Sequence, residues 1–268
     1  MGKRIKERVF RMKEFDVCHN RSANKVGVDG VLIGAWARVP PGASRILDAG
    51  SGCGLISLML AQRFPELAID GVEIDPEAAA EARENASRSP WCDRIEIICV
   101  DFADMAASRC GQDEYPGGDG EVEDRSAGIY DAIVSNPPFF HAGISSPGSR
   151  REQARHADTL SPEALLDSAP ALLRSGGLLS FICQAESEAY LLGAGSDRGL
   201  IPVRITRVRG NNAAEPKRIM MEWLKPVSPM PEDAESAVPQ MDMLTIEHSP
   251  GEYTEEYRQL CRDFYINM

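Results

Sequence analysis

The chain has 268 residues, of which 43% are hydrophobic and 26% charged, and this composition is sufficient for one α/β domain with a buried core. The formal net charge of −12 argues against a uniformly basic nucleic-acid-binding surface, so phosphate contacts would have to come from local basic segments. The seven cysteines include no Cys-x-x-Cys pair, and neither a secretory signal nor a membrane-spanning apolar run is present. We therefore expect reduced thiols, no metal site, no membrane association and a cytoplasmic location.

Predicted strands and helices alternate along most of the chain. A helix at 28–36 is followed by strand 45–48, helix 55–64, strand 68–73, helix 76–88, strand 95–100, strand 129–135, helix 161–174, strand 178–183 and helix 186–194. Strands 201–208 and 217–224 are predicted to form a terminal hairpin-like pair, and a helix is predicted at 254–266. The alternation predicts an α/β fold: a Rossmann-like, seven-stranded, mostly parallel sheet with helices on both faces.

The predicted domain organisation is simple. Residues 1–40 form a basic lead-in that packs on the binding site, and residues 41–268 form a single domain. Within that domain, residues 108–127 are rich in Gly, Asp and Glu, which predicts a mobile surface insertion. Residues 226–239 form a proline-rich connector.

A glycine-rich turn follows the first strand of the predicted sheet. The residues from Asp48 to Gly54 read Asp-Ala-Gly-Ser-Gly-Cys-Gly, and glycines at such a turn let the backbone approach a ligand closely. A dinucleotide fingerprint places its third glycine one residue later than Gly54. The pattern resembles the first motif of S-adenosylmethionine-dependent methyltransferases. It predicts cofactor contacts from Asp48, Gly50, Ser51, Gly52 and Gly54.

Acidic residues follow the next two strands. Glu73 ends the second strand, where a carboxylate can accept hydrogen bonds from both ribose hydroxyls, although a solvated strand end is the alternative. Asp101 follows the third strand, where it can accept from the adenine amino group while Phe102 flanks the ring; the alternative for Asp101 is a helix N-cap. Asp75 before Pro76 favours an N-cap with proline at the first helical position.

The tetrapeptide Asn136-Pro137-Pro138-Phe139 follows the apolar strand 129–135. Its two prolines end that strand because neither can donate a ladder hydrogen bond. The Asn136 side-chain oxygen and the Pro137 carbonyl can accept the two hydrogens of a flat amino or amide group, while Phe139 stacks on its face. A proline-rich turn without further function is the alternative. We predict Asn136, Pro137 and Phe139 as catalytic residues, and expect Asn136 to contact the cofactor as well.

Taken together, these motifs resemble the bacterial valine-tRNA adenine-N6 methyltransferases. The resemblance is carried by Phe15–Trp36, Asp48–Gly54, Glu73, Asp101, Asn136–Phe139, Arg151–Arg155, Tyr253–Tyr257 and Phe264–Tyr265. It implies methyl transfer from S-adenosylmethionine to the exocyclic N6 of adenine-37 in the anticodon loop of valine tRNA. Two residues depart from the family pattern as we expect it: Phe139 stands where tyrosine is usual, and Asn20 where aspartate is usual.

Basic and polar residues outside the motifs provide further candidates. In related enzymes the segment before the glycine turn packs on the methionine end of the cofactor, which implies contacts from Lys25 or Asp29, with helix capping and packing as the alternative. For tRNA phosphates, the basic side chains nearest the motifs are Lys13, Arg21, Arg150, Arg151 and Arg155. Charged runs are also common on solvated surfaces, so a purely structural role remains open for these five.

Three other functions are compatible with the same motifs. A protein methyltransferase acting on a glutamine side-chain amide would need the same two acceptors, because that amide is also flat and bears an NH2 group. A guanine-N2 methyltransferase acting on ribosomal RNA is another candidate, since Asn-Pro-Pro-Phe occurs in such enzymes. The third is a cofactor-binding module without catalysis. The sequence leaves the oligomeric state open.

Overall fold

The computed structural model describes residues 8–22, 25–110, 128–138, 160–227 and 238–268. Its helices are α1 (Val28–Trp36), α2 (Leu55–Arg63), α3 (Pro76–Arg88), α4 (Phe102–Cys110), α5 (Pro162–Leu172), α6 (Glu188–Asp197) and α7 (Glu255–Cys261). Its strands are β1 (Val9–Arg11), β2 (Asp16–Cys18), β3 (Arg45–Ala49), β4 (Ala68–Glu73), β5 (Ile95–Cys99), β6 (Tyr130–Ser135), β7 (Leu173–Gln184), β8 (Ile201–Arg209), β9 (Arg218–Leu224), β10 (Gln240–Thr245), β11 (Glu247–Ser249) and β12 (Glu252–Tyr253).

The described residues form one eight-stranded sheet with the order β10-β8-β9-β7-β6-β3-β4-β5. From β3 the chain moves outward through β4 to β5, and it then returns to β6 on the other side of β3. This reversal opens a crevice outside the carboxyl ends of β3 and β6, where α/β sheets bind their ligands. The topology therefore brings the glycine turn after β3 beside the Asn136 turn after β6.

Helices cover both faces of this sheet. Neighbouring residues on a strand point to opposite faces, and accordingly Ile46 and Leu47 of β3 belong to different hydrophobic clusters. The cluster containing Ile46 includes α1, α2 and α7, whereas the cluster containing Leu47 includes α4, α5 and α6. The predicted fold class is confirmed, and β8 and β9 form the expected antiparallel pair.

Two elements of the sheet depart from prediction. The sheet has eight strands rather than seven because β10 adds to its edge, parallel to β8. Most β10 side chains are exposed, so its sequence lacks the apolar alternation by which a half-buried strand is recognised. Strand β7 begins at Leu173, five residues before the predicted start at 178, and α5 ends at Leu172, two residues before its predicted end at 174.

Further differences concern the lead-in and the segment that follows β5. Helix α4 and the β1–β2 hairpin were not predicted. The first residues of the predicted 108–127 insertion belong to α4, and residues 111–127 lie outside the described residues, as do 228–237 of the connector. Within the described ranges, no helix combines the length and the apolar character required to cross a bilayer.

Two glycines of α6 provide a test of this packing. A Cβ atom on Gly195 would lie 2.4 Å from Cζ3 of the fully buried Trp223, whereas one on Gly193 would meet nothing within 4 Å. We expect Gly195→Ala to lower the free energy of unfolding by about 1–3 kcal/mol through overpacking. Gly193→Ala should raise that free energy by up to about 1 kcal/mol through helix propensity. Urea denaturation of both variants checks this, and equal effects would contradict the α6–β9 packing.

Candidate active site

A cavity of about 400 Å³ lies at the carboxyl ends of the central strands. Its walls come from the lead-in, the glycine turn, the ends of β4, β5 and β6, and the start of α5. The lining residues are Ser22, Lys25, Val26, Gly27, Gly30, Gly50, Ser51, Gly52, Cys53, Leu55, Ile56, Val72, Glu73, Ile74, Asp75, Ala78, Val100, Asp101, Phe102, Ala103, Asn136, Pro138, Leu160 and Ala164. The volume falls within the range of small-molecule sites.

The glycine turn forms the floor of this cavity. The N–H groups of Gly50 and Ser51 both donate to the Val72 carbonyl at 2.9 Å, which fastens the turn to the neighbouring strand β4. Gly50 has φ of 72°, a conformation that glycine adopts without steric cost. Gly54 is the N-cap of α2 and has φ of 81°, and a Cβ there would lie 3.3 Å from Cβ of Ala82. The third glycine thus allows α3 to pack closely against the turn.

Glu73 connects the end of β4 to the glycine turn. Its Oε2 accepts from the Gly52 N–H at 2.8 Å, and its Oε1 accepts from the Asp75 N–H at 2.9 Å. These bonds fix the carboxylate at the cavity wall. Asp75 in turn accepts from the Glu77 N–H at 2.9 Å and has Pro76 as the first residue of α3, which confirms its predicted N-cap role.

Asp101 and Phe102 follow β5, the strand that pairs with β4, and both line the cavity. Asp101 Oδ1 accepts from the N–H groups of Ala103 at 2.7 Å and Asp104 at 3.1 Å, so this carboxylate caps α4 while also lining the cavity. The Phe102 ring is buried and provides an apolar surface there. Both interpretations of Asp101, ligand contact and N-cap, are therefore compatible with its position.

Two buried polar atoms in the cavity wall have no hydrogen-bond partner among the described residues: the Asn136 Oδ1 and the Ser51 Oγ. An unpaired buried acceptor or hydroxyl is costly, so such atoms in a cavity indicate a missing polar ligand. Gly30 packs closely against Leu55, because a Cβ there would lie 3.0 Å from Leu55 Cδ2, whereas its distance of 3.7 Å from Asn136 Nδ2 would be an ordinary contact.

Comparison with known proteins identifies the family. The family model described as "Methyltransferase domain" matches residues 46–113. A Porphyromonas gingivalis protein named tRNA1(Val) (adenine(37)-N6)-methyltransferase is 40% identical to the chain, and the alignment covers 96% of this chain and 94% of that protein. A Flavobacterium psychrophilum protein of the same name is 37% identical, with coverage of 97% of this chain and 100% of that protein. The chain belongs to the tRNA1(Val) (adenine(37)-N6)-methyltransferase family.

Solved structures agree on the fold. A predicted O-methyltransferase from Agrobacterium tumefaciens has a TM-score of 0.60 at 20% identity, covering 88% of this chain and 96% of that chain. Pyrococcus horikoshii TYW2, solved in complex with MeSAdo, has a TM-score of 0.52 at 12% identity, covering 81% of this chain and 70% of that chain. These neighbours place this member of the tRNA1(Val) (adenine(37)-N6)-methyltransferase family in the α/β methyltransferase fold.

Many of the predicted cofactor residues of this family member lie together. The cavity wall includes Lys25, Gly50, Ser51, Gly52, Glu73, Asp101, Phe102 and Asn136. Asp48, Gly54 and Asp29 do not line it. Asp29 instead pairs with Arg218, whose Nε lies 3.0 Å from Asp29 Oδ2, and so ties the first turn of α1 to β9.

The predicted RNA-contacting residues that the structure describes have partners within the chain. Arg21 forms an ion pair with Glu84 at 2.6 Å, and Lys13 donates to the carbonyls of Arg262 and Met268, the latter at 3.2 Å. Pro137 is buried between Asn136 and Pro138. The predictions for Phe139, Arg150, Arg151 and Arg155 lie outside the described residues.

Several wall residues of this methyltransferase family member were not singled out from the sequence. Gly27 and Gly30 line the cavity at the start of α1, and Ser22 lines it from the lead-in. Two glycines at the start of an apolar helix could have indicated that the backbone there approaches a ligand closely. Leu160 gave no such signal, because its proximity to Gly50 depends on tertiary packing alone.

Asp48 is a buried support for the glycine turn. Its Oδ2 accepts from the N–H of Ser57 at 2.9 Å and from the hydroxyl of Ser57 at 2.6 Å, whereas its Oδ1 has no partner among the described residues. Burial raises the pKa of Asp48 from 3.8 to about 7, although the Ser57 hydrogen bonds oppose this rise. The folded protein therefore binds a proton at Asp48 in a pH range where the unfolded chain does not.

This shift predicts a specific pH dependence of stability. Because the pKa of Asp48 is higher in the folded state, its contribution to stability should be lost as pH rises from about 4 to about 7. Asp48→Asn should therefore raise the free energy of unfolding by an amount that grows as pH rises from about 4 to about 7 and is constant above that range. Urea denaturation across the pH series measures it, with Asp93→Asn as a control at an exposed aspartate. A gain from Asp48→Asn that is constant with pH would contradict the prediction.

Proposed function

We propose that this chain transfers a methyl group from S-adenosylmethionine to the exocyclic N6 of adenine-37 in tRNA1(Val). The observation that carries the proposal is the unpaired, buried Oδ1 of Asn136, a residue that lines the same cavity as the glycine turn and Glu73. Near-full-length relatives that bear this activity in their names support the choice of substrate.

The residues of the cavity fit the proposed cofactor. The Glu73 carboxylate would accept hydrogen bonds from the ribose hydroxyls, and Asp101 with Phe102 would hold the adenine. The turn from Gly50 to Gly52 would contact the remainder, with Ser51 Oγ available to hydrogen-bond it. Lys25 is exposed at the cavity wall, where it would meet the methionine carboxylate. When bound, S-adenosylmethionine supplies an electrophilic methyl group on a positively charged sulfur.

The proposed catalytic residues act by orienting the amino group of the base. Asn136 Oδ1 accepts one of its N–H hydrogens and the Pro137 carbonyl accepts the other. The adenine amino nitrogen is a poor nucleophile because its lone pair is delocalised into the ring. Two fixed acceptors would stabilise the positive charge that develops on this nitrogen as its bond to the methyl carbon forms and the carbon–sulfur bond breaks, and the nitrogen would then lose one proton to water. They also hold it in line for attack, which lowers the entropic part of the barrier.

Access to the base favours a single-stranded substrate. A base must leave its stack to enter such a cavity, and the cost is lowest in a loop. RNA-binding proteins generally recognise splayed loop bases in this way, which suits a position in the anticodon loop. Phe139 would stack on the base, a contact worth about 1–3 kcal/mol.

The proposal is tested with purified protein, radiolabelled S-adenosylmethionine and tRNA from cells that lack this protein. Nucleoside mass spectrometry should detect N6-methyladenosine, and nuclease mapping should locate it at position 37 of tRNA1(Val). Ribosomal RNA and a release-factor protein are the comparison substrates. Formation of N2-methylguanosine or of N5-methylglutamine instead would contradict the proposal and favour one of the other two methyltransferase assignments.

A further inference from the structure

We propose that Glu81 and Asn85 are positioning residues that fasten the lead-in to the glycine turn and thereby complete the wall of the cofactor cavity. The inference rests on the proposed function, because the ligand used to test it is S-adenosylmethionine or its demethylated product. Both side chains lie on the same face of α3, four residues apart. Neither lines the cavity itself.

Glu81 is the centre of this attachment. Its buried carboxylate accepts from three consecutive backbone N–H groups of the lead-in: Asn20 at 2.6 Å, Arg21 at 3.1 Å and Ser22 at 3.0 Å. It also accepts from the Ser22 hydroxyl at 2.8 Å. Successive N–H groups that converge on one anion form a concave binding site for it. Here the anion is the Glu81 carboxylate of α3, and residues 20–22 of the lead-in form the concave site.

The hydrogen bonds outweigh the cost of burying this charge. Burial by itself would raise the pKa of Glu81, but the hydrogen bonds from Ser22, Arg21 and Asn20 bring that pKa below its ordinary value. The carboxylate is therefore ionised at neutral pH. Ionisation is the state in which its two oxygens can accept from all of these donors.

Asn85 bonds both to the lead-in and to the glycine turn. Its Nδ2 donates to the carbonyls of Cys18 and Cys53, both at 2.8 Å, and its Oδ1 accepts from the Cys18 N–H at 3.0 Å. One buried amide thus uses three hydrogen bonds to hold two segments that are distant in sequence. A leucine or alanine at this position would leave those groups unpaired.

Both attachments end on residues of the cavity wall. Ser22, held by Glu81, and Cys53, held by Asn85, line the cavity, as do the α3 N-cap Asp75 and Ala78 from the first turn of α3. The same helix therefore contributes wall residues directly and fixes two further wall segments through its second and third turns. If the lead-in were released, one side of the cavity would open to water, and the cofactor would lose contacts there.

The test compares Glu81→Gln with the matched control Glu84→Gln. A glutamine keeps the shape of Glu81 but offers one acceptor oxygen, so its NH2 group must face an N–H donor. The control removes an exposed ion pair between the same helix and the same segment, at Arg21. We expect Glu81→Gln to raise the cofactor Kd, measured by calorimetry without RNA, about 10- to 100-fold. Glu84→Gln should change it less than about twofold.

Two further readouts separate positioning from general stability. At saturating cofactor, kcat of Glu81→Gln should stay within about threefold of the wild type, because the catalytic groups are intact. Trypsin cleavage after Arg21, followed by mass spectrometry, should be faster than in the wild type, and saturating demethylated cofactor should slow it. Should Glu81→Gln fail to fold, Asn85→Asp serves in its place, since it keeps the acceptor for Cys18 and loses both donated bonds.

The outcomes are distinguishable. Wild-type protein that binds no cofactor would overturn the proposed function itself. Wild-type binding together with an unchanged Kd in the folded variant would overturn only the inference, even if the melting temperature fell. A defect confined to kcat would also overturn it, because the wall residues would then affect the chemical step rather than the cofactor.

Discussion

Replacing Asn136 with alanine is expected to reduce kcat by a factor on the order of 100–1,000, while the cofactor Kd changes little. The side-chain oxygen is buried in the cavity without a partner among the described residues, so its acceptor capacity is available to a substrate. Removing one preorganised polar contact to a charge that develops in the transition state raises the barrier by about 3–4 kcal/mol. Single-turnover rates with tRNA and calorimetric titration with cofactor provide the two measurements.

Asn211→Ala is the matched control for this prediction. Asn211 lies exposed in the β8–β9 turn, where its side chain accepts from the Ala213 N–H at 3.0 Å. The same amide is removed, but away from the cavity wall, so turnover should stay close to that of the wild type. Equal turnover in Asn136→Ala and the wild type would remove Asn136 from the catalytic mechanism. A loss confined to cofactor binding would reassign it to the cofactor site.

Replacing Glu73 with glutamine is expected to weaken cofactor binding and to change kcat little, which is the opposite of the effect of Asn136→Ala. Both carboxylate oxygens are already engaged by the Gly52 and Asp75 N–H groups, and each retains capacity for a ribose hydroxyl. Glutamine supplies one acceptor oxygen, so it cannot maintain these two bonds. The variant would thereby lose one or two of the charged hydrogen bonds to the ribose hydroxyls, each worth about 1.5–3 kcal/mol, and this loss should raise the cofactor Kd roughly 100-fold. kcat at saturating cofactor should fall by less than about threefold.

Glu96→Gln is the control for Glu73. It makes the same substitution at an exposed residue of the neighbouring strand β5, away from the cavity wall. Calorimetry should give a Kd within about twofold of the wild type for this control. If Glu73→Gln also binds cofactor with wild-type affinity, then Glu73 serves only to anchor the glycine turn, and the ribose must be held by other groups.

The central part of the fold was predictable because its signals are local. Short apolar segments mark strands β3 and β4 and helix α2, and a clear N-cap marks helix α3; their observed bounds agree with prediction to within a residue. Strand β10 was missed because four of its six residues are exposed, and its pairing with β8 is a contact between distant parts of the chain. Helix α4 was missed because an acidic, glycine-rich segment follows it in sequence.

The sequence by itself determined the chemistry of this protein. The glycine turn, the acidic strand ends and the Asn-Pro-Pro-Phe motif identify a methyltransferase, because each requires particular residue types at fixed local spacings. Only the tertiary structure decided which acidic residue supports the glycine turn from inside and which one faces the cavity. Asp48 and Glu73 both end up beside the glycine turn, but Asp48 bonds inward to Ser57 while Glu73 faces the cavity. Likewise, only folding brings Glu81 to residues 20–22, some 60 positions earlier in the chain. Contacts of this kind depend on how helices and strands pack, and no local pattern of residues encodes them.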